Sequence, residues 1–159
     1  MPVATTNDEA VATGLRPVRE EASPQTGAVG VTPLGRRMLA FPVHPRYARM
    51  LLAAEEFDCV YHACLVAALT QGRDLLLRKP GPEVIAAREG VLDNAGGRDL
   101  SDFWALMRAW EYASAREFRM DAVRKVGIHG VTARQVGPLH EQFLRIAKGE
   151  GLDTRARPL

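Results

Sequence analysis

The fold of this protein is decided by residues 31–54, which read VTPLGRRMLAFPVHPRYARMLLAA. Thr32 can accept a hydrogen bond from a first-turn amide, and Pro33 suits the first helical position because its missing N–H would be unpaired there. Pro42 is expected to end this helix, and a second helix should begin at Pro45. The stretch therefore predicts two short helices, each started by a proline.

Apolar residues continue at helical spacing beyond this stretch and include Phe57 at the end of the second helix. Residues 60–71 are apolar on nearly all sides, which is typical of a central helix that its neighbours bury. After a proline- and glycine-rich break, we expect a short helix over residues 83–88. A longer helix, capped by Asp99 or Ser101, should follow it.

Two further helices are predicted near the C-terminus, one over residues 116–126 and one from Thr132 to Gly149. Thr132 and Gln135 form a capping-box pattern, in which each side chain bonds the backbone amide of the other residue. Pro138 should kink this last helix or force it to restart. No alternating apolar and polar pattern of useful length occurs, so the predicted fold class is all-α, a small bundle of about six or seven helices.

The composition is that of an ordinary soluble domain. Of the 159 residues, 47% are hydrophobic and 25% are charged, which is enough for one core but not for two large ones. No run of about 18 apolar residues occurs, so we expect no contact with a membrane. The N-terminus lacks a secretory signal pattern, and the two cysteines cannot form a disulfide scaffold. These features favour the cytoplasm.

The chain divides into three predicted regions. Residues 1–30 contain scattered Pro, Gly, Ser, Thr and Glu without an apolar period, which predicts a disordered tail. Residues 31–152 carry the predicted helices. Residues 153–159 are expected to form a short, flexible C-terminus.

Positive charge is concentrated in residues 31–54. The formal net charge of the chain is only +2, but residues 31–54 hold Arg36, Arg37, Arg46 and Arg49 and neither Asp nor Glu. Such a stretch projects positive potential, and arginine is well suited to phosphate and base contacts. The alternative is a solvated helix face on which long side chains cover apolar neighbours.

A metal site or a catalytic site would have to come from a few scattered residues. Cys59, His62 and Cys64 lie close in sequence, but on a helix Cys64 points well away from Cys59, so we expect no metal site. His129 and His140 accompany no recognisable nucleophile and are predicted to be solvated. The phosphate-binding pattern G-x-x-x-x-G-K-S/T does not occur in the sequence.

Residues 31–54 resemble the start of the helicase-associated domain of DEAH-box RNA helicases, most closely that of the bacterial branch. The family pattern is Leu-Thr-Pro-Leu-Gly-Arg, then Met, then Pro-x-x-Pro, then an apolar helix that carries Arg-Met-Leu. Residues 101–110, SDFWALMRAW, resemble the Asp-His-Leu-x-Leu-Leu segment of the same family. Here Phe103 stands in place of the usual His, and Arg108 in place of the usual Asn.

The resemblance covers residues 31–152 in pieces and implies the end of a winged-helix domain followed by a helical bundle often called the ratchet. Residues 1–30 would then be a tail or the degenerate end of the winged helix. In the whole helicases, the bundle packs against two motor domains and helps form the channel for single-stranded RNA. The nucleotide loop, the DEAH box and the arginine fingers of the motor are absent from this sequence. We therefore expect no ATPase activity, no catalytic residue and no cofactor.

Three hypotheses follow from these observations. In the first, the protein is an accessory helicase module that contacts single-stranded RNA or DNA and docks on helicase motor domains. The residues predicted to contact nucleic acid are Arg36, Arg37, Arg46, Arg49, Trp104 and Arg108. In the second, it is a protein-interaction or self-associating module with an exposed apolar patch around Phe103, Trp104 and Trp110. The third, a metal-dependent enzyme, depends only on Cys59, His62 and Cys64.

Overall fold

Helices account for almost all the regular structure in the part of the chain that the computed structural model describes, residues 30–92 and 101–157. In chain order they are α1 (Pro33–Met38), α2 (Pro45–Ala53), α3 (Val60–Gln71), α4 (Pro82–Leu92), α5 (Asp102–Ser114), α6 (Met120–Lys125) and α7 (Gly130–Gly149). The β-structure of these ranges is one isolated antiparallel bridge between Leu76 and Ile128. The all-α prediction is confirmed, whereas the predictions for the N-terminal tail and for Asp99 concern residues outside the described ranges.

The first two helices begin where the prolines predict. The Thr32 hydroxyl accepts a hydrogen bond of 3.0 Å from the Gly35 amide, and Pro33 occupies the first position of α1. His44 caps α2, because its Nδ1 atom accepts a bond of 3.3 Å from the amide of Arg46. The end of α1 predicted at Pro42 was too late, since the helix ends at Met38 and a turn leads from there to Pro42.

The bundle is built around α3, as its apolar composition predicted. This helix packs against α2, α5 and α7, and its contact with α7 is the most extensive helix pair of the described residues. Eight of its twelve residues are buried. Burial of this much apolar surface, at about 25 cal/mol per Å², is the main source of stability for a small bundle. The buried residues of α3 are Val60, Ala63, Cys64, Leu65, Val66, Ala67, Ala68 and Leu69.

The helix predicted over residues 116–126 is shorter than expected. The backbone leaves α5 through a tight turn in which Glu117 and Phe118 both have positive φ, and α6 begins only at Met120. The amide of Phe118 donates to the carbonyl of Ala113 at 2.8 Å, which closes the end of α5. The helix predicted over residues 83–88 is, in contrast, longer than expected and runs from Pro82 to Leu92.

The predicted capping box of the last helix is wrong, because α7 begins at Gly130 and Thr132 therefore lies inside its first turn. The start is fixed from outside the helix by the amide of His129, which donates to the carbonyl of Leu75 at 2.9 Å. Of the two outcomes predicted at Pro138, the restart is wrong, since α7 is continuous through that residue, and the kink stays a prediction. Pro138 and Arg134 are both exposed, so water can bond the carbonyl that the proline leaves unpaired.

After α7 the chain turns back toward the junction of α2 and α3. Arg157 forms ion pairs of 2.8 Å with Asp58 and 2.9 Å with Asp153, all three residues being partly exposed. Only the pair with Asp58 connects residues 153–157 to the bundle, and exposed ion pairs contribute only about 0–1 kcal/mol each. The flexibility predicted for the C-terminus stays a prediction.

A half-buried arginine closes the turn between α6 and α7. The guanidinium of Arg88 on α4 donates to three backbone carbonyls: those of Val126 at 3.2 Å, Gly127 at 3.2 Å and Leu77 at 3.3 Å. Gly127 has a φ of +67°, and a Cβ atom there would lie 2.5 Å from Arg88 and 2.8 Å from Val84. Both the conformation and the close approach therefore require glycine at this position.

We expect the Gly127→Ala variant to lose about 2 kcal/mol of unfolding free energy, because alanine is strained at positive φ and displaces the Arg88 guanidinium. Gly90→Ala is the matched control, since Gly90 lies inside α4 and a Cβ atom there meets nothing within 4 Å. The control should gain about 0.5–1 kcal/mol from higher helix propensity. Urea denaturation of both variants measures the difference, and equal stabilities would contradict this account of the turn.

His140 is buried, which corrects the prediction that it is solvated. Its Nε2–H group donates to the carbonyl of Tyr61 at 3.1 Å, and its ring packs edge-on against the rings of Tyr61 and Trp110. Burial lowers the pKa of His140, although the bond to the Tyr61 carbonyl opposes this effect. The neighbouring His62 also has a pKa lowered by burial. Folding therefore favours the neutral form of both rings.

The unfolding free energy should fall as the pH drops below about 6.5, the ordinary pKa of histidine, because the unfolded chain then binds protons that the folded protein does not. The limiting slope is about 1.4 kcal/mol per pH unit for each such proton. Urea midpoints at pH 7.5, 6.5 and 5.5 should show this decline, and His140→Gln should reduce it. An unchanged slope in this variant would show that His140 does not cause the decline.

Candidate nucleic-acid interface

The arginines of residues 31–54 lie on two helices that pack against each other, α1 and α2. Arg36 and Arg46 are exposed, and Arg49 is half-buried. On α2, the buried residues Ala48, Leu51 and Leu52 face the core, so Arg46 and Arg49 are left on the outer surface. Within the described residues, none of these three guanidinium groups forms an ion pair with a carboxylate.

Arg37 differs from the other three arginines because it contacts the end of α7. Its Nε atom lies 3.7 Å from the carboxylate of Glu150, and its Nη2 atom donates to the Glu150 carbonyl at 3.4 Å. The side chain remains partly exposed, so this pair contributes little to stability. Arg37 therefore connects α1 to α7, and the charge of its guanidinium is partly offset.

Trp104 and Arg108 lie on α5, which packs against α3, α4, α6 and α7. Trp104 is half-buried against the hydrophobic core. Arg108 donates from Nη1 to the carbonyl of Leu92 at 2.6 Å and so joins α5 to the last residue of α4. Since α3 packs against both α2 and α5, the inner helix connects the elements that carry the two groups of predicted contact residues.

Phe57 is an exposed aromatic residue that the sequence analysis placed in the apolar pattern of α2. The helix ends at Ala53, and Phe57 lies in the following turn with 73% of its surface exposed. An exposed aromatic ring offers a stacking surface for a nucleic-acid base. Its position in a turn, which the helical spacing did not reveal, explains why the sequence analysis missed it.

The residues considered for a metal site do not assemble one. In residues 30–92 and 101–157, no group of three or more Cys, His, Asp and Glu side chains is placed to hold a metal ion. Cys64 is fully buried, and burial raises the pKa of its thiol to about 12. Cys59 is half-buried, and its thiol pKa is raised by burial and by the negative charge of Asp58. Both sulfurs are therefore poor sources of the thiolate that metal binding or nucleophilic attack requires.

Comparison with known families identifies the bundle. Residues 44–125, slightly over half of the chain, match the family model described as "Helicase associated domain (HA2), ratchet-like". The match begins at the residue that caps α2 and ends at the last residue of α6. The chain therefore belongs to the ratchet-like helicase-associated domain family, an accessory module of DExH-type RNA helicases.

Individual relatives agree with this assignment. The ATP-dependent RNA helicase HrpA of Escherichia coli (strain K12) is 25% identical over 149 residues, which cover 84% of this chain and 10% of HrpA. The putative ATP-dependent RNA helicase rha-2 of Caenorhabditis elegans is 27% identical over 129 residues, which cover 73% of this chain and 11% of rha-2. The helicase DExH1 of Arabidopsis thaliana is 30% identical over 135 residues, which cover 80% of this chain and 13% of DExH1. The chain thus spans about a tenth of the length of these relatives.

No helix of the described residues is both long enough and apolar enough to cross a lipid bilayer.

Proposed function

We propose that this protein is the part of a DEAH-type RNA helicase that contacts single-stranded nucleic acid, RNA or DNA, without hydrolysing ATP itself. The observation that carries this proposal is the α1–α2 surface. Arg36 and Arg46 are exposed on two packed helices, residues 31–54 contain no acidic side chain, and the chain belongs to a helicase-associated family. A cytoplasmic location fits this role.

The contact is sequence-independent in this proposal. Arg36, Arg46 and Arg49 bind phosphate oxygens, because a guanidinium group offers paired N–H donors that match phosphate geometry. Phe57 stacks on a base, a contact that tolerates any sequence. Arg37 adds a weaker phosphate contact, because its side chain remains partly exposed beside Glu150. Trp104 and Arg108 keep a secondary role, since Arg108 already bonds the Leu92 carbonyl.

Binding energy that depends on phosphate contacts falls with salt in a predictable way. For single strands, the slope of log K against log salt concentration is about −0.7 for each phosphate neutralised. We expect the Arg36→Gln/Arg46→Gln double variant to bind a short single-stranded RNA more weakly than the unaltered protein. Its slope should be smaller by about 1.4. Fluorescence anisotropy from 25 to about 200 mM salt measures both quantities.

The Arg116→Gln/Arg145→Gln double variant is the matched control. Both of these arginines are exposed, they lie outside α1 and α2, and their loss changes the formal charge by the same amount. This control should retain most of the affinity and the original salt slope. If both double variants lose affinity equally, general charge rather than the α1–α2 surface attracts the RNA. If the unaltered protein does not bind at low salt, the proposed nucleic-acid contact is wrong.

Docking on helicase motor domains is a second function, and one observation favours it. None of the residues of α1 is buried, although the helix and its flanks include three exposed apolar residues, Val31, Leu34 and Leu39. Leu39 is 76% exposed. Of the patch predicted from sequence, Phe103 is exposed, but Trp104 and Trp110 are half-buried, and Trp110 bonds the Ala133 carbonyl at 3.1 Å. The α1 surface is therefore the better docking face.

Sedimentation velocity tests this second function. The protein is mixed with a fragment of E. coli HrpA that contains the motor domains and lacks the segment similar to this chain. We expect a faster-sedimenting complex, and the Leu34→Ser/Leu39→Ser variant should reduce its amount, because exposed leucines contribute about 1.5–3 kcal/mol each when buried. Ile85→Ser, which alters an exposed apolar residue of α4, is the control. A monomer that forms no complex would contradict docking, and self-association without the fragment would favour the interaction-module alternative.

A further inference from the structure

A second basic surface lies in a groove at the far end of the bundle from α1. The groove has a volume of about 1280 Å³. It is bounded by the turn that follows α3, by α6 and by the first residues of α7. No local sequence pattern reveals this groove, because its walls come from three segments that are distant in sequence.

The charged side chains of the groove leave an excess of positive charge. Arg73 and Arg124 line it, both are exposed, and neither forms an ion pair within the described residues. The one acidic side chain of the lining, Asp74, is paired with Arg78. The two unpaired guanidinium groups therefore determine the potential of the groove.

Further groups in the groove complement the two arginines. Thr132 and Gln135 add polar side chains that can donate hydrogen bonds. Met120 and Val131 are 49% and 62% exposed and form an apolar part of the wall. The first turn of α7 contains no acidic residue that would compete for the arginines. This mixture suits a ligand that combines phosphate groups with less polar sugar or base surfaces.

We infer that this groove binds the phosphodiester backbone of a single-stranded nucleic acid, as a second contact on the strand that the α1–α2 surface binds. The inference extends the proposed function and depends on it. The exposure of Arg73 and Arg124 fits a backbone that crosses an open groove, since a small phosphate metabolite is usually enclosed by its site.

The two basic surfaces are separated by the length of α7. Arg37 contacts Glu150 at one end of that helix, and Thr132 lies in the groove at the other end. At 1.5 Å per residue, Thr132 and Glu150 are about 27 Å apart. A stacked strand advances about 3.4 Å per nucleotide, so about eight nucleotides reach from the Arg37 end of α7 to the groove. A strand much shorter than this can occupy only one surface at a time.

Strand length therefore provides the test. Anisotropy titrations of the full chain compare fluorescein-labelled oligouridylates of 5 and 12 nucleotides. The unaltered protein should bind the 12-mer more tightly than the 5-mer. In the Arg73→Gln/Arg124→Gln variant, the affinity for the 12-mer should fall about tenfold. The slope of log K against log salt concentration for the 12-mer should become smaller by about 1.4. The 5-mer, which the α1–α2 surface can bind alone, should lose at most about twofold.

The Arg116→Gln/Arg145→Gln variant serves again as the control for formal charge and should bind both strands as the unaltered protein does. Circular dichroism verifies that each variant is folded, which is expected because all four arginines are exposed. If 12-mer binding by the groove variant is unchanged, or if the charge control loses as much, the inference is overturned while the proposed function stands. If neither strand binds the unaltered protein, both are overturned.

Discussion

Burial of one almost entirely apolar helix is the constraint on which this structure depends. α3 cannot be stable in water, because it has no polar face, so α2, α5 and α7 must cover it. Each covering helix presents its apolar side inward and its charged side outward. The outward direction of Arg46 on α2 is thus a consequence of burying α3, whereas α1, which has no buried residue, packs on α2. Cys64 at the centre of that helix is held protonated for the same reason.

The arginines of this protein divide between two uses that composition alone does not distinguish. Some hold the backbone together: Arg88 bonds three carbonyls around Gly127, Arg108 bonds the end of α4, and Arg134 donates to the carbonyl of Phe118 at 3.2 Å. Others, such as Arg36 and Arg73, project into solvent without a carboxylate partner in the described ranges. The second kind is the more available to a polyanion, which is why the main proposed contacts, Arg36 and Arg46, come from that group.

Membership in the helicase-associated family agrees with this arrangement. The family match covers α2 to α6, whereas α1 and α7 lie outside it, although α7 forms the largest contact with α3. The chain spans about a tenth of the length of its helicase relatives, so its proposed partners are the remaining parts of such an enzyme. In the proposed function, the surface for a strand acts together with the motor domains of such an enzyme.

The sequence by itself determined the helical class, the inner helix at residues 60–71, the proline-started helices and the family resemblance. These features depend on local signals, namely apolar period and the chemistry of Thr32 and Pro33. Tertiary structure decided the rest, because it depends on atoms distant along the chain. His129 bonds Leu75 and thereby starts α7 at Gly130 instead of Thr132. The burial of His140 by Tyr61 and Trp110 arises only when the helices pack. The same holds for the groove between the turn after α3, α6 and α7, since no local pattern encodes which residues will meet.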